Sequence, residues 1–180
     1  KTLDTWTSLH QLAITLANIK ISANPYLFDG NDVKLVNSGN WLNGGTANGL
    51  VDTTIHTNYS GTKWKLSQLT NGNFTLKCLG DNHNPDHVFL NGHTQTGQVE
   101  LSTTPNPDNP LTGTQWFPED LGNGYMTLKC MGDIFNAEHL YLNWDSQSNL
   151  VSLVPKASLD KPGCHWKVQT VQSGHDSNLS

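Results

Sequence analysis

The 180-residue sequence contains no arginine, and only 14% of its residues are charged. Arginine is the residue that proteins prefer for bidentate contacts to phosphate groups and guanine. The ten basic residues are all lysines, and fifteen acidic residues outnumber them, so the net charge is −5. These deficits argue against nucleic acid as a partner.

Long hydrophobic runs are absent as well. No stretch of 18 consecutive apolar residues occurs, so the sequence predicts no membrane insertion. The chain begins at Lys1 rather than at methionine, and Asn-x-Ser/Thr sequons begin at Asn58, Asn73 and Asn178. We therefore expect a processed, secreted protein. The sequence leaves the oligomeric state open.

Cysteine is scarce, with only Cys78, Cys130 and Cys164. An odd number argues against a full disulfide framework. Cys78 and Cys130 stand beside apolar residues at equivalent positions of a repeated pattern. We expect three buried thiols that pack as small hydrophobic side chains, with a single disulfide bridge as the alternative.

A unit of about 50 residues occurs three times in the chain. Residues 71–81 read NGNFTLKCLGD and residues 123–133 read NGYMTLKCMGD, an offset of 52. The first copy has diverged, but Trp-Leu-Asn-Gly at residues 41–44 aligns with Phe-Leu-Asn-Gly at residues 89–92. Each unit closes on a Gly-x-x-Trp signature whose tryptophan we expect in the core: Trp64, Trp116 and Trp166.

Within the units the hydrophobic period is two, which is typical of strands. Phe74, Leu76 and Cys78 alternate with Thr75 and Lys77, and Gly, Asn and Pro clusters separate such runs. The sequence predicts an all-β domain with four short strands in each unit, twelve in all. The predicted organisation is a helical arm over residues 1–17, units over 18–65, 66–118 and 119–169, and a frayed tail over 170–180.

The repeated pattern TLKC-x-GD, [FY]LN, V-x-L and G-x-x-W resembles the β-trefoil, and specifically its ricin-B-like lectin superfamily. The resemblance covers most of the chain and implies a carbohydrate-binding protein. The glutamine of that family's Gln-x-Trp hallmark is replaced here by Thr62, Thr114 and Cys164. The resemblance therefore implies the fold, whereas the family's sugar-contact residues do not carry over.

The Phe-Leu-Asn strand and its equivalents are the first candidate site. Alternation along a strand puts the aromatic ring and the amide on one face and the leucine on the other. With the leucine in the core, the ring stacks on a sugar and the amide bonds its hydroxyls. The opposite orientation buries the ring instead. The residues concerned are Trp41 with Asn43, Phe89 with Asn91, and Tyr141 with Asn143.

The preceding loop is the second candidate. Residues 81–87 read DNHNPDH and residues 133–139 read DIFNAEH, so both keep the order D-x-x-N-x-[DE]-H. Loops are normally free to vary, so we interpret the shared polar residues as a ligand-binding set. The alternative is that Asp81 and Asp133 form Asx turns and that the histidines bridge backbone carbonyls. The set comprises Asp81, Asn84, Asp86, His87, Asp133, Asn136, Glu138 and His139.

Other chemistry fits this loop less well. A metal site could use Asp81, His83, Asp86 and His87, but Phe135 replaces His83 in the third unit, so we expect no metal or other cofactor. Two similar loops indicate multivalent binding, whereas catalysis uses one asymmetric set of residues. The first unit lacks the acidic loop, so we expect two strong sites and one weak or missing one.

The hypothesis that follows is a secreted, non-enzymatic lectin that binds glycans or glycoproteins at two or three sites. Such a protein agglutinates cells or exerts toxicity by clustering surface glycans. A β-trefoil protease inhibitor that uses the proline-rich loop at residues 103–112 is the alternative. A toxin or hydrolase built on a trefoil scaffold is the third possibility.

Overall fold

The computed structural model describes residues 28–171, so the predicted arm over residues 1–17 and nearly all of the predicted tail lie outside it. Twelve strands occupy the described part of the chain, as predicted. They are β1 Asp32–Asn37, β2 Asn40–Gly44, β3 Val51–Thr54, β4 Trp64–Gln68, β5 Phe74–Cys78, β6 Phe89–Gly92, β7 Val99–Ser102, β8 Trp116–Gly122, β9 Tyr125–Cys130, β10 Tyr141–Asp145, β11 Leu150–Val154 and β12 Trp166–Thr170.

Six of these strands close into an antiparallel barrel. Around the ring, β1 pairs with β4, β4 with β5, β5 with β8, β8 with β9, β9 with β12, and β12 with β1. Closure leaves the barrel without an exposed strand edge. Each unit contributes its first and last strands to the ring, which is the threefold arrangement that the repeat predicts.

The other six strands form three hairpins, β2–β3, β6–β7 and β10–β11. Neighbouring hairpins are joined by backbone bonds from Leu101 to Gly49 and from Leu153 to Gly97, both 2.8 Å long. The Thr53 hydroxyl also bonds Asn149 at 3.0 Å and so links the first hairpin to the third. The three hairpins therefore form one connected layer.

The three signature tryptophans are fully buried, as predicted. Their indole N–H groups donate to the carbonyl oxygens of Leu42, Leu90 and Leu142 at 3.0–3.1 Å. A buried indole needs such a partner, because an unpaired polar group in the core is costly. Each tryptophan thus joins the barrel to the hairpin of its own unit. The predicted unit boundaries after residues 65 and 118 fall inside β4 and β8.

Cys78, Cys130 and Cys164 are free and buried, so the three-thiol prediction is confirmed over the single bridge. Burial raises the pKa of Cys130 and of Cys164 to about 11. Asn37 is the last residue of β1, the position that Cys78 has in β5. The Asn37 side-chain amide donates to the carbonyl oxygens of Pro162 and Gly163 at 2.9 Å.

Within residues 28–171, no helix is long and apolar enough to cross a membrane.

Candidate functional site

Three open clefts lie where the hairpin of a unit meets the short 3-10 turn that closes it. Cleft 1 has a volume of about 370 Å³, cleft 2 about 290 Å³ and cleft 3 about 430 Å³. Cleft 1 lies between Asn43, the hairpin turn at 45–48, residues 58–61 and the loop at 80–82. Cleft 2 uses the equivalent segments: Asn91, residues 93–95, 109–113 and 132–134.

One wall of clefts 1 and 2 is an aspartate from the following unit. Asp81 is held in cleft 1 by a bond from its backbone N–H to the Ser60 hydroxyl at 3.0 Å. Asp133 is held in cleft 2 by the same bond to Thr112 at 2.9 Å. Both carboxylates are exposed, and no group of residues 28–171 donates a hydrogen bond to either of them. They are therefore free to accept hydrogen bonds from a ligand.

The glycine before each aspartate lets the loop approach the hairpin closely. A Cβ on Gly80 would lie 2.6 Å from the Thr46 hydroxyl oxygen, and one on Gly132 would lie 2.6 Å from that of Thr94. Real Cβ atoms do not approach other atoms this closely, so a larger residue would push the loop away. Glycine at this point therefore sets the width of both clefts.

The opposite wall is an asparagine amide. In cleft 1, Asn43 donates to Asp52 on the partner strand at 2.8 Å. In cleft 2, His93 lies between the equivalent groups: its Nε2 is 3.3 Å from the Asn91 amide nitrogen and 2.7 Å from Glu100. The Asn43 amide is thus oriented by a carboxylate on the neighbouring strand, whereas the Asn91 amide contacts the imidazole instead. Clefts 1 and 2 share this polar arrangement but differ by the inserted imidazole.

The third cleft has a different lining. Asn143 keeps the amide wall, but its strand partner is Ser152 rather than an acid. Lys161 lines the cleft, and Asp145 directs its carboxylate to the Gln147 backbone and the Ser148 hydroxyl. No loop aspartate equivalent to Asp81 reaches it among the lining residues. Cleft 3 therefore lacks the free carboxylate of the other two.

The grouping of site residues differs from the one that the sequence suggested. The sequence groups Asp81 with Asn91, since both belong to the second unit, and Asp133 with Asn143. In the structure Asp81 lines cleft 1 together with Asn43, and Asp133 lines cleft 2 together with Asn91. Each cleft is therefore completed by two consecutive units.

The remaining polar loop residues hold the loop in shape. The Asn84 side chain accepts from the Asp86 N–H at 3.0 Å and lies 3.0 Å from His87 Nδ1. The His87 ring packs on Gly49, where a Cβ would be 2.7 Å away. The same contacts recur at Asn136, Glu138 and His139. The Asx turns are therefore formed by Asn84 and Asn136, whereas the alternative assigned them to the two aspartates.

The carboxylates of Asp86 and Glu138 are exposed and line none of the three clefts. Within residues 28–171, no three His, Cys, Asp or Glu side chains lie close enough together to hold a metal ion.

The aromatic residues of the Phe-Leu-Asn strands are not a common sugar platform. Leu90 and Leu142 are in the core, but Tyr141 is buried as well, so its expected outward orientation is wrong. Burial, together with the Glu119 carboxylate to which its hydroxyl donates, raises the pKa of Tyr141. Phe89 is half-buried and lines none of the three clefts.

Two tryptophans near the hairpins make contacts with other residues of the protein. Trp41 is half-buried, and the Lys34 ammonium lies 5.4 Å from its ring centroid. Trp144 is buried, and its indole N–H donates to Asn149 at 2.9 Å. Trp144 is therefore part of the core, and it also borders cleft 3.

The sequence reasoning missed the groups that position the aspartates. Thr46 and Thr94 recur at the same place in two units, as do Ser60 and Thr112. The signal that the sequence offers is the recurrence of a hydroxyl residue at equivalent positions of two units. The repeat does not connect these residues to the aspartates, because each lies in a different unit from the aspartate that it supports.

No protein-family model matches the chain, and no curated protein sequence matches it. Solved structures do match. One is a GlcNAcα1-4Gal-releasing endo-β-galactosidase from Clostridium perfringens, with 20% identity and a TM-score of 0.60 over 79% of this chain and 33% of that one.

Two further matches cover nearly the whole of the other protein. The designed threefold-symmetric protein ThreeFoil matches with 20% identity and a TM-score of 0.60, over 79% of this chain and 100% of that one. SeviL bound to asialo-GM1 saccharide matches with 15% identity and a TM-score of 0.57, over 79% and 98%. Together with the closed six-stranded barrel and its three hairpins, these matches show that the chain has the β-trefoil fold.

Proposed function

We propose that the protein is a secreted, non-enzymatic lectin whose two main glycan sites are clefts 1 and 2. The observation that carries this proposal is the pair of equivalent clefts, each with an exposed carboxylate, Asp81 or Asp133, that no described group engages. A carboxylate with free lone pairs accepts hydrogen bonds from two adjacent sugar hydroxyls, and the other polar groups that line each cleft supply further donors and acceptors.

The size and the polarity of the clefts agree with a small sugar epitope. Their volumes of about 370 and 290 Å³ lie at the lower end of the range for small-molecule sites. Their walls are mostly glycine, asparagine, threonine and serine, which present backbone and side-chain hydrogen-bonding groups. The similar solved structures include a galactosidase and a protein bound to a saccharide, which supports the choice of ligand class.

Two weak sites on one chain act together. Linked sites raise avidity by roughly 10²–10⁴-fold through effective concentration, so the protein would crosslink glycans on cell surfaces. Agglutination, and any toxicity that follows from clustering, then depends on both clefts being intact in the same molecule.

The test begins with a glycan array on the folded protein, followed by calorimetric titration with the best monosaccharide glycoside. We expect two sites in the wild type, one each in Asp81→Ala and Asp133→Ala, and none in the double variant. Loss of a charged hydrogen bond costs about 1.5–3 kcal/mol, or roughly 10- to 150-fold in affinity. Each single variant should also fail to agglutinate cells.

Asp86→Ala is the matched control, because Asp86 is an exposed acid of the same loop that lines none of the clefts. It should keep both sites. An empty array with folded protein would overturn the proposal, as would a site count that the Asp81 and Asp133 variants leave at two.

A protease inhibitor is the second candidate, because the loop at residues 103–112 is exposed and internally braced. Asn106 and Asn109 exchange backbone bonds of 3.0 and 3.1 Å, and the Asn106 side chain accepts from the N–H of Asp108 and of Asn109. A rigid exposed loop of this kind suits substrate mimicry. Inhibition of a serine or cysteine protease in a panel assay would favour this function over the lectin.

A further inference from the structure

Clefts 1 and 2 differ most at the tip of the loop that carries the aspartate. Cleft 1 has Asn82 and His83 after Asp81, whereas cleft 2 has Ile134 and Phe135 after Asp133. Ile134 lines cleft 2 directly, with its side chain 52% exposed. Phe135 follows it and is 78% exposed, the highest value among the large hydrophobic residues that the structure describes. Cleft 2 therefore continues outward over an apolar loop tip. Cleft 1 has polar residues at that tip, and its aromatic lining residue, Tyr59, lies on the closing turn instead, 49% exposed and stacked on His56 with ring centroids 4.9 Å apart.

This apolar tip is held in place before any ligand arrives. The Asn136 amide donates to the Gln95 carbonyl across the cleft at 3.3 Å, and it lies 3.1 Å from His139 Nδ1. The His139 ring nitrogen is also 3.3 Å from the Thr94 carbonyl oxygen. Because these bonds fix the loop against the opposite wall, little conformational entropy would be lost when a ligand contacts the tip.

The occupant of this surface follows from its continuity with cleft 2. The cleft is small, about 290 Å³, so a glycan longer than one residue must leave it over the rim. A pyranose presents C–H groups on one face, and an aromatic ring or a branched aliphatic side chain packs against such a face. The rim at Ile134 and Phe135 supplies both kinds of side chain.

We propose that Ile134 and Phe135 form an apolar subsite that holds the second sugar ring of an oligosaccharide whose terminal ring lies against Asp133. This inference rests on the proposed lectin function. Cleft 2 then gains affinity from a second ring at the loop tip, whereas the loop tip of cleft 1 offers such a ring no apolar contact. One chain thus carries two sites of different specificity, despite their common origin in the repeat.

The test uses the single-cleft variants, Asp81→Ala for cleft 2 alone and Asp133→Ala for cleft 1 alone. The probes are the methyl glycoside of the sugar that the array identifies and a disaccharide that ends in the same sugar. The measured quantity is the ratio of the two affinities in calorimetric titration. In Asp81→Ala the disaccharide should bind about three- to tenfold more tightly, and in Asp133→Ala the ratio should be smaller.

Exchange of the loop tips tests the cause of the preference. In the Asp81→Ala background, Phe135→His should bring the ratio towards one. In the Asp133→Ala background, His83→Phe should raise it. Both residues are exposed, and each replacement is the one found in the sister loop, so folding should be kept. Ile55→Thr is the matched control, since Ile55 is 70% exposed and outside all three clefts.

Equal ratios in the two single-cleft variants, with the methyl glycoside still bound, would overturn the subsite but not the lectin function. Loss of binding to neutral lipid vesicles, or of self-association, in Phe135→His with an unchanged ratio would also overturn it, since a membrane or a second copy would then be the occupant. Folded wild-type protein that binds no glycoside at all would overturn the lectin function itself.

Discussion

Gly113 lies where the closing turn of the second unit presses on the hairpin of the same unit. A Cβ added to Gly113 would lie 2.2 Å from the Gly92 carbonyl oxygen and 2.6 Å from Asn91 Oδ1. The first obstacle is backbone of the buried strand β6, and the second is a buried amide. The Gly92 carbonyl would have to move by about 1 Å to restore an ordinary contact.

Gly113→Ala should therefore destabilise the protein strongly. Overpacking of a close-packed site costs about 1–3 kcal/mol, and we expect about 3 kcal/mol because neither obstacle is a flexible chain end. For a chain of this length that corresponds to a fall in Tm of roughly 6–12 °C. Since Asn91 is a wall of cleft 2, the same displacement should weaken binding in cleft 2 and leave cleft 1 intact.

Urea and thermal unfolding of Gly113→Ala and Gly72→Ala provide the comparison. Gly72 has a φ of +88°, with no atom within 4 Å of an added Cβ. The substitution Gly72→Ala should therefore lower the free energy of unfolding only through the backbone conformation, by about 1–2 kcal/mol. If Gly113→Ala costs no more than Gly72→Ala, the close approach of turn and hairpin does not exist as described. The width of the clefts would then have another cause.

Two further predictions concern the buried polar groups of the barrel. Burial raises the pKa of Cys130 and Cys164 from about 9 to about 11. The contribution of each protonated thiol to the free energy of unfolding should therefore be fully present below pH 9. It should fall as the pH rises towards 11, by up to ~3 kcal/mol for each thiol. The urea midpoint of the wild type, measured in reductant, should fall between pH 7.5 and pH 10.5, and that of Cys130→Ala should fall less. An equal fall in the two proteins would contradict this cause. Asn37→Leu removes an amide that donates to two carbonyls of the turn before β12, so calorimetry should show a loss of about 2 kcal/mol; an unchanged Tm would show that these bonds contribute nothing net.

The sequence predicted the architecture because the repeat is a local pattern copied three times. Alternation of apolar and polar residues identified strands such as β5, and recurrence of the signature placed Trp116 and its equivalents in the core. A tryptophan that recurs at one point of every unit can only be buried in all of them if the units surround a common core. The twelve strands and the threefold arrangement were accessible from these features alone.

The site was only partly accessible by the same route. The recurring loop motif singled out Asp81 and Asp133 together with their neighbours, but recurrence does not distinguish a side chain that faces a ligand from one that shapes a turn. Asn84 and His87 recur as faithfully as Asp81, yet their partners are groups within the loop and the Gly49 backbone. Tyr141 likewise recurs as an aromatic residue but is buried against Glu119.

Composition, periodicity and the repeat thus determined by themselves that the chain is an all-β protein of three similar units. Only the tertiary structure decided which residues share a cleft, because the walls come from consecutive units: Asn43 and Asp81 are 38 residues apart. A comparison of units matches each residue with its equivalents and never with its neighbours across the interface. Barrel closure brings those neighbours together, and it joins the aspartate of one unit to the amide of the unit before.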